Sequence, residues 1–318
     1  MLTFLIFIVA ALVACNHGVP VEQESESVAM DLMVPRGTSR EEYLQSIADY
    51  WTHERMESAI EKDLIITDEQ EFLRFNNEPR VERAAMVLTT SQLLSGTVAS
   101  KPKVAGKVYF VMNGANYMCS GSVVNAANRD TVVTAGHCVY DKDKKVWASS
   151  WIFVPEYNSG SRPLGTFIMR KMVTNTAWMN SGNFNFDIAI VLMNNNEKGQ
   201  HIQDVTGGLG ITLDSPQQAK ATSFGYPKNI NNGEIVSNCA GTHLSPTNVA
   251  GFTGLRLACA MTGGSSGGPW IQEYDVNARK GQQVSVNSFI MSNQPNNMFG
   301  PHFTELNIGK MYRDYQNQ

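Results

Sequence analysis

Residues 106–124 read "GKVYFVMNGANYMCSGSVV". Two runs rich in β-branched and aromatic residues flank Asn113-Gly114, the pair a two-residue hairpin turn with left-handed backbone prefers. The stretch predicts two antiparallel strands. Beyond it, short apolar runs alternate with turn residues: "DTVVTAG" (130–136), "SWIFVP" (150–155), "FDIAIVLM" (186–193), "ATSFGYP" (221–227) and "QQVSVNSFIM" (282–291). That rhythm suits an antiparallel barrel or sandwich, not βαβ units. The tail, "ELNIGKMYRDYQNQ" (305–318), predicts a short C-terminal helix.

The composition is that of a globular chain of 318 residues, 42% hydrophobic and 17% charged. A low charged fraction with much Asn, Gly and Ser leans towards a β-rich extracellular protein. A net charge of -4 argues against nucleic-acid binding. The charge is unevenly spread. Residues 21–80 hold 15 acidic and 6 basic side chains, a net of -9, whereas residues 104–318 hold 13 and 16, a net of +3. An acidic leader therefore precedes a mildly basic body.

The N-terminus, "MLTFLIFIVAALVACNHGVP", is apolar through residue 14 except for Thr3. It is too short to span a bilayer comfortably, so residues 1–15 read as a secretory signal peptide with no stable membrane span. "LVAC" also resembles a bacterial lipobox, making a lipid anchor at Cys15 the alternative to free secretion. Residues 16–103 form the leader. Within it, residues 39–64 predict one helix, opened by a capping box at Ser39 and Glu42. "TTSQLLSGTVASKPK" (89–103) reads as an exposed linker, with cleavage between about Ser95 and Val104. The expected role is a cleaved propeptide. No C-x-x-C and no H-E-x-x-H occurs, so a metal has no motif, and no cofactor is expected.

The chemistry gathers at three places. "LACAMTGGSSGGPW" (257–270) sets Ser266 among four glycines. A hydroxyl is a weak nucleophile without a positioned base, and the oxyanion formed when it attacks a carbonyl needs donors aimed at it. Glycines bare the backbone so that N–H groups can approach closely. "TVVTAGHCVY" (131–140) places His137 after a strand-like run; an imidazole can accept a proton near neutrality. "NFDIAIVLM" (185–193) holds Asp187 at the head of an apolar run, where a carboxylate is costly unless partnered. Pairing with a histidine N–H would meet that cost and fix the tautomer. Taken singly, each has a bland reading: a Gly/Ser turn, a structural histidine, an Asp facing water.

Together, "TAGHC", "DIAIV" and "GGSSGGP" resemble the active-site motifs of trypsin-like, or chymotrypsin-fold, serine peptidases, in that fold's order His–Asp–Ser. The resemblance covers about residues 104–318. It implies an all-β fold of two antiparallel six-stranded barrels, about 104–208 and 209–318, with the active site in the cleft between them and a partly helical propeptide before them. His137 and Asp187 would come from the first barrel and Ser266 from the second. An oxyanion hole would form from the N–H groups of Gly264 and Ser266. Cys119–Cys138 matches a disulfide usual around the catalytic histidine, which leaves Cys239 with Cys259, a loop closure worth about 3 kcal/mol.

The chain departs from the family in two respects. In trypsin and its close relatives the residue before the nucleophile is Asp, which pairs with the new N-terminal ammonium after cleavage. Here it is Ser265, and no "IVGG"-like start precedes the first barrel. The chain looks closer to the glutamyl-endopeptidase-like and bacterial or fungal branches. Secondly, by the resemblance the specificity pocket is lined by Ala260, Met261, Thr262, Ser288 and Phe289. Ala260 stands where trypsin carries an Asp, and Asn287 or Ser288 where glutamyl endopeptidases carry a His. The pocket looks uncharged. The expectation is a secreted, monomeric serine endopeptidase acting on proteins or peptides, with its own propeptide as a partner. The alternatives are an inactive binding protein on the same fold, or an esterase or acyl transferase.

Overall fold

The computed structural model describes residues 25–66, 101–246, 249, 251–275, 277–278 and 280–318. The expected signal peptide, Cys15 and most of the linker lie outside the described residues. The leader contributes β1 (Ser27–Asp31), helices α1 (Arg40–Tyr50) and α2 (His53–Glu57), and two short strands, β2 (Ile60–Glu61) and β3 (Ile65–Ile66). The body opens with the predicted hairpin, β4 (Ala105–Met112) and β5 (Ala115–Val123). Asn113 and Gly114 both take positive φ, 52° and 77°, as the turn requires. There follow β6 (Thr131–Thr134), the small hairpin β7 (Tyr140–Asp141) and β8 (Val146–Trp147), β9 (Ser149–Pro155), β10 (Phe167–Asn175) and β11 (Ala189–Met193).

Six of these strands close on themselves. The order β4–β5–β6–β11–β10–β9 returns to β4 through antiparallel pairs. Among these six, closure removes most of the sheet edge, leaving open the part of β10 beyond its two-residue pairing with β9. Val108, Val132, Val133, Ile152, Phe153, Ile190 and Leu192 are fully buried.

The second half has β12 (Gly210–Ile211), β13 (Lys220–Gly225), β14 (Ser237–Thr242), β15 (Leu255–Ala258), β16 (Pro269–Asp275), β17 (Lys280–Val286), β18 (Phe289–Met291) and β19 (Gln294–Gly300). Its strands form two sheets, β12–β17–β16–β13–β14 and β15–β19–β18, linked by the Leu244–Arg256 bridge. The first barrel thus closes as the sequence reading expects, and the second half is laid out as these two bridged sheets, with β12 joining β17 in parallel. Disulfides join Cys119 to Cys138 in the first half and Cys239 to Cys259 in the second.

The leader does not stand apart as a thin domain. β1 adds to the barrel sheet, antiparallel to β10. The single helix expected over 39–64 stops at Tyr50. Trp51 turns inward there, fully buried, 5.5 Å from the Tyr109 ring, with its indole N–H donating to the Ser150 carbonyl at 2.6 Å. Thr52 then caps a separate short helix. Burying a tryptophan outweighs the modest propensity to continue a helix. The capping box forms as read, with reciprocal Ser39–Glu42 bonds of 2.9 and 3.2 Å. Among the described residues no helix is long and apolar enough to cross a membrane.

One ion pair spans the halves. The Lys107 ammonium, on β4 and fully buried, lies 3.0 Å from Glu234 and against the rings of Tyr109 and Tyr157. Burial pushes its pKa down, opposed by the bond to Glu234. Glu234→Gln leaves a buried charge half-satisfied. It should cost about 1–3 kcal/mol in chemical denaturation; an unchanged midpoint would show that the pair contributes nothing.

Candidate active site

The three motifs meet where the halves face each other. His137 lies in a single 3-10 turn, Gly136–Cys138, that follows β6 through extended Ala135. Only a glycine fits before it: a Cβ on Gly136 would stand 2.9 Å from the Trp178 ring and 3.0 Å from Asp187 Oδ1. The adjacent Cys138 is tied to β5 by its disulfide. Asp187 closes a second 3-10 turn, Phe184–Phe186, whose start is capped by the Asn183 side chain. Both turns are set at the ends of neighbouring barrel strands, β6 and β11.

Asp187 is fully buried. Its Oδ1 accepts the His137 backbone N–H at 2.8 Å. Its Oδ2 contacts His137 Nδ1 at 2.8 Å and accepts the Ser288 hydroxyl at 2.5 Å. Three donors offset the cost of burying the charge. A carboxylate can only accept, so Nδ1 carries the proton and Nε2 is left as an acceptor. Nε2 is buried and has no hydrogen-bond partner among the described residues. Ser266 Oγ therefore does not donate to it here, in keeping with the looseness of such contacts before substrate arrives.

The Ser266 loop is held from all sides. Its carbonyl accepts the Ser120 N–H at 2.7 Å, and the Ser120 hydroxyl donates to the Gly264 carbonyl at 2.8 Å. Gly267 has φ +81°, and a Cβ there would lie 2.1 Å from Thr134 Oγ1, so glycine is required by both conformation and space. Ser265, Gly267 and Gly268 donate their N–H groups to the carbonyls of Thr262, Asn287 and Ser265. Among the described residues Gly264 and Ser266 donate theirs to no backbone carbonyl. The Ser265 hydroxyl also bonds Thr262 O, at 2.7 Å, so this position is closed on its own loop.

Asn287, considered in the sequence only as a pocket residue, holds this loop. It is fully buried. Its amide donates to the carbonyls of Phe224 (3.1 Å) and Ser265 (2.9 Å), and its Oδ1 accepts from Ser223 and Trp270, both at 2.7 Å. Its backbone exchanges bonds with Gly267 and Gly268. Ser288 directs its hydroxyl to Asp187, and Phe289 is buried in a stack on Phe299, 4.9 Å between centroids. Met261 is buried beside the Cys239–Cys259 bridge. Ala260 and Thr262 are half-buried and bound through their backbones to the Asn229 side chain.

The leader reaches this place too. A Cβ on Gly263 would stand 2.5 Å from Glu61 and 2.6 Å from the Asp63 carboxylate. Burial pushes the Asp63 pKa up. Nearby His137 opposes the shift, Glu61 adds to it, and the N–H groups of Leu64 and Gly263 oppose it. Among the described residues, one group of three His, Cys, Asp or Glu side chains is tight enough for a metal: Cys119, His137 and Cys138. It does not fit one, because the two sulfurs are bonded to each other and His137 Nδ1 is committed to Asp187.

Comparison with known proteins identifies the family. The family model described as Trypsin matches residues 95–307. The chain is 34% identical over 113 residues to an extracellular metalloprotease of Bacillus subtilis, covering 36% of this chain and 33% of that protein. It is 27% identical over 157 residues to a glutamyl endopeptidase of Bacillus licheniformis, covering 49% and 45% respectively. The aligned stretches thus span less than half of these curated relatives. Among solved structures, the protease Anisep from Arthrobacter nicotinovorans superposes with TM-score 0.62 at 35% identity, over 69% of this chain and 98% of that one. A thermostable serine protease, AL20, from an extremophilic microorganism gives 0.62 at 32%, over 68% and 98%.

Replacing Asn287 by Ala would strip four side-chain hydrogen bonds from a buried site. The expected loss is roughly 3 kcal/mol or more in denaturant unfolding. A loss below about 1 kcal/mol would mean the loop is held by its backbone alone.

Proposed function

Since the chain belongs to the trypsin family, we propose that it is a secreted serine endopeptidase made as a precursor, with His137, Asp187 and Ser266 as its catalytic triad. Ser266 Oγ attacks the carbonyl of the scissile peptide bond while His137 Nε2 takes its proton. The tetrahedral oxyanion is met by the N–H groups of Gly264 and Ser266. His137 then gives the proton to the leaving amine, and an acyl group stays on Ser266. Water, deprotonated by the same imidazole, releases the acid. Asp187 keeps the proton on Nδ1 and stabilises the imidazolium while it exists.

The observation that carries this reading is the buried Asp187–His137 pair, 2.8 Å apart, which fixes the tautomer that leaves Nε2 basic. The N–H groups of Gly264 and Ser266, which among the described residues donate to no backbone carbonyl, support the oxyanion hole. The oxyanion loop needs no charged N-terminus in this account, because Ser265, Asn287 and Ser120 already brace it. No residue from Ala260 to Gly263 is charged, so a basic P1 side chain finds no counter-charge there. Substrates are proteins or peptides. Residues 16–103 act as the propeptide, with the apolar N-terminus directing export.

A fluorophosphonate probe should label the processed chain at Ser266, and Ser266→Ala should abolish labelling and peptide hydrolysis together. Labelling that survives in that variant would place the nucleophile elsewhere. Ser288→Ala removes one of the three donors to Asp187. It should lower kcat about tenfold to a hundredfold with KM little changed, since hydrogen bonds to charged groups are worth about 1.5–3 kcal/mol. An unaltered kcat would show that the remaining two donors suffice.

A further inference from the structure

The leader crosses the cleft as an extended strap. At one end β2 pairs in parallel with β5, Ile60 opposite Tyr117 and Glu61 opposite Met118. The Lys62 N–H donates to the Met118 carbonyl at 3.1 Å. At the other end β3 pairs in parallel with β18, Ile65 opposite Ile290 and Ile66 opposite Met291. Ile290 and Ser292 donate their N–H groups to the carbonyls of Leu64 (3.2 Å) and Ile66 (3.0 Å). Between the two ends lies Asp63, over Gly263 and in the neighbourhood of His137. The Lys62 ammonium is tied to Asp141 at 3.1 Å. Upstream, Trp51 and β1 fix the leader to the first barrel.

The polarity of this strap can be compared with that of a substrate. An acyl-enzyme keeps the N-terminal half of the substrate on Ser266, and the C-terminal half leaves with a proton from His137. The leaving half therefore belongs on the His137 side of Ser266. Met118 lies on that side, next to Cys119, which is bonded to Cys138 beside His137. The acyl half then extends over β18, which follows Ser288. A productive chain runs from β18 towards Met118, antiparallel to β18. The leader runs from Met118 towards β18, parallel to it.

We infer that residues 60–66 are a built-in inhibitor that occupies the substrate cleft backwards, and so shields the site without being cut by it. The inference rests on the peptidase reading of the same site. Reversal exchanges the order of carbonyl and N–H along the strap. A carbonyl that entered the oxyanion hole would direct its amide nitrogen away from His137, and no leaving amine could collect the proton. Two edges of the cleft supply strand-like hydrogen bonds in either direction, which is how strand addition gains affinity without a fixed side-chain code. Gly263 matters to the fit, because a side chain there would collide with Glu61 and Asp63.

The direction is tested by paired cysteines in the full chain, with Cys15→Ser and Ser266→Ala to prevent stray bridges and cutting. In one variant Glu61→Cys is combined with Met118→Cys, in the other Ile66→Cys with Met118→Cys. The reversed strap forms the first disulfide and not the second. The second forming, or neither, overturns the inference whatever the catalytic status of Ser266. Shielding is tested in the full chain with intact Ser266. Asp63→Arg should speed fluorophosphonate labelling at least tenfold over the unmodified chain, and equal rates would overturn the shielding. Absence of labelling even in the processed chain would instead refute the peptidase reading, leaving the disulfide result to stand alone.

Discussion

A carboxylate with no exposed surface constrains this molecule more than any other group. Asp187 is buried and accepts three hydrogen bonds, two from His137 and one from Ser288. The first two come from a turn of the first barrel and the third from the second half of the chain. The charge is tolerable only while all three donors stand around it. The barrel strands β6 and β11 must therefore lie side by side, and β18 must approach across the cleft. Neighbouring Asn185 reinforces the same junction through Gly251 and Thr253.

The nucleophile loop obeys a complementary constraint. Its glycines admit close backbone contacts but give the loop no rigidity of their own. Rigidity comes from polar side chains at either hand: Ser120 on β5 and Asn287 between β17 and β18. Asn287 uses both amide donors and two acceptances at its carbonyl oxygen, so its rotamer and the loop's path fix each other. With Ser265 bonded to Thr262, the loop is shaped while the leader is still attached. In the proposed precursor, what would keep the site quiet is then steric: the strap over the cleft, not a collapsed oxyanion site.

Much of this was legible in the residues. The Asn113-Gly114 turn, the alternation of short strands and the capping box are local, and local chemistry decides them. His137, Asp187 and Ser266 stood out because a histidine after a strand, a carboxylate before an apolar run and a glycine-flanked serine each need explaining. What escaped notice depends on distant partners. Ser288 and Asn287 look like ordinary strand residues, and their roles appear only once Asp187 and Ser265 are beside them. The helix read over 39–64 ignored that Trp51 has a pocket on Tyr109 waiting for it. Ile60, inside the span read as that helix, is half exposed on a strand instead. The leader's path across the cleft leaves no mark in its own sequence, since main-chain pairing is indifferent to side chains.

The account stands on His137, Asp187 and the backbone donors acting together on one developing charge at Ser266. A crystal structure of the processed chain carrying a phosphonate on Ser266 tests it most directly. The account predicts a phosphoryl oxygen within about 2.7–3.1 Å of the N–H groups of both Gly264 and Ser266, with the Asp187–His137 contact intact. An adduct whose oxygen points away from those two groups, or one formed on another side chain, would contradict it.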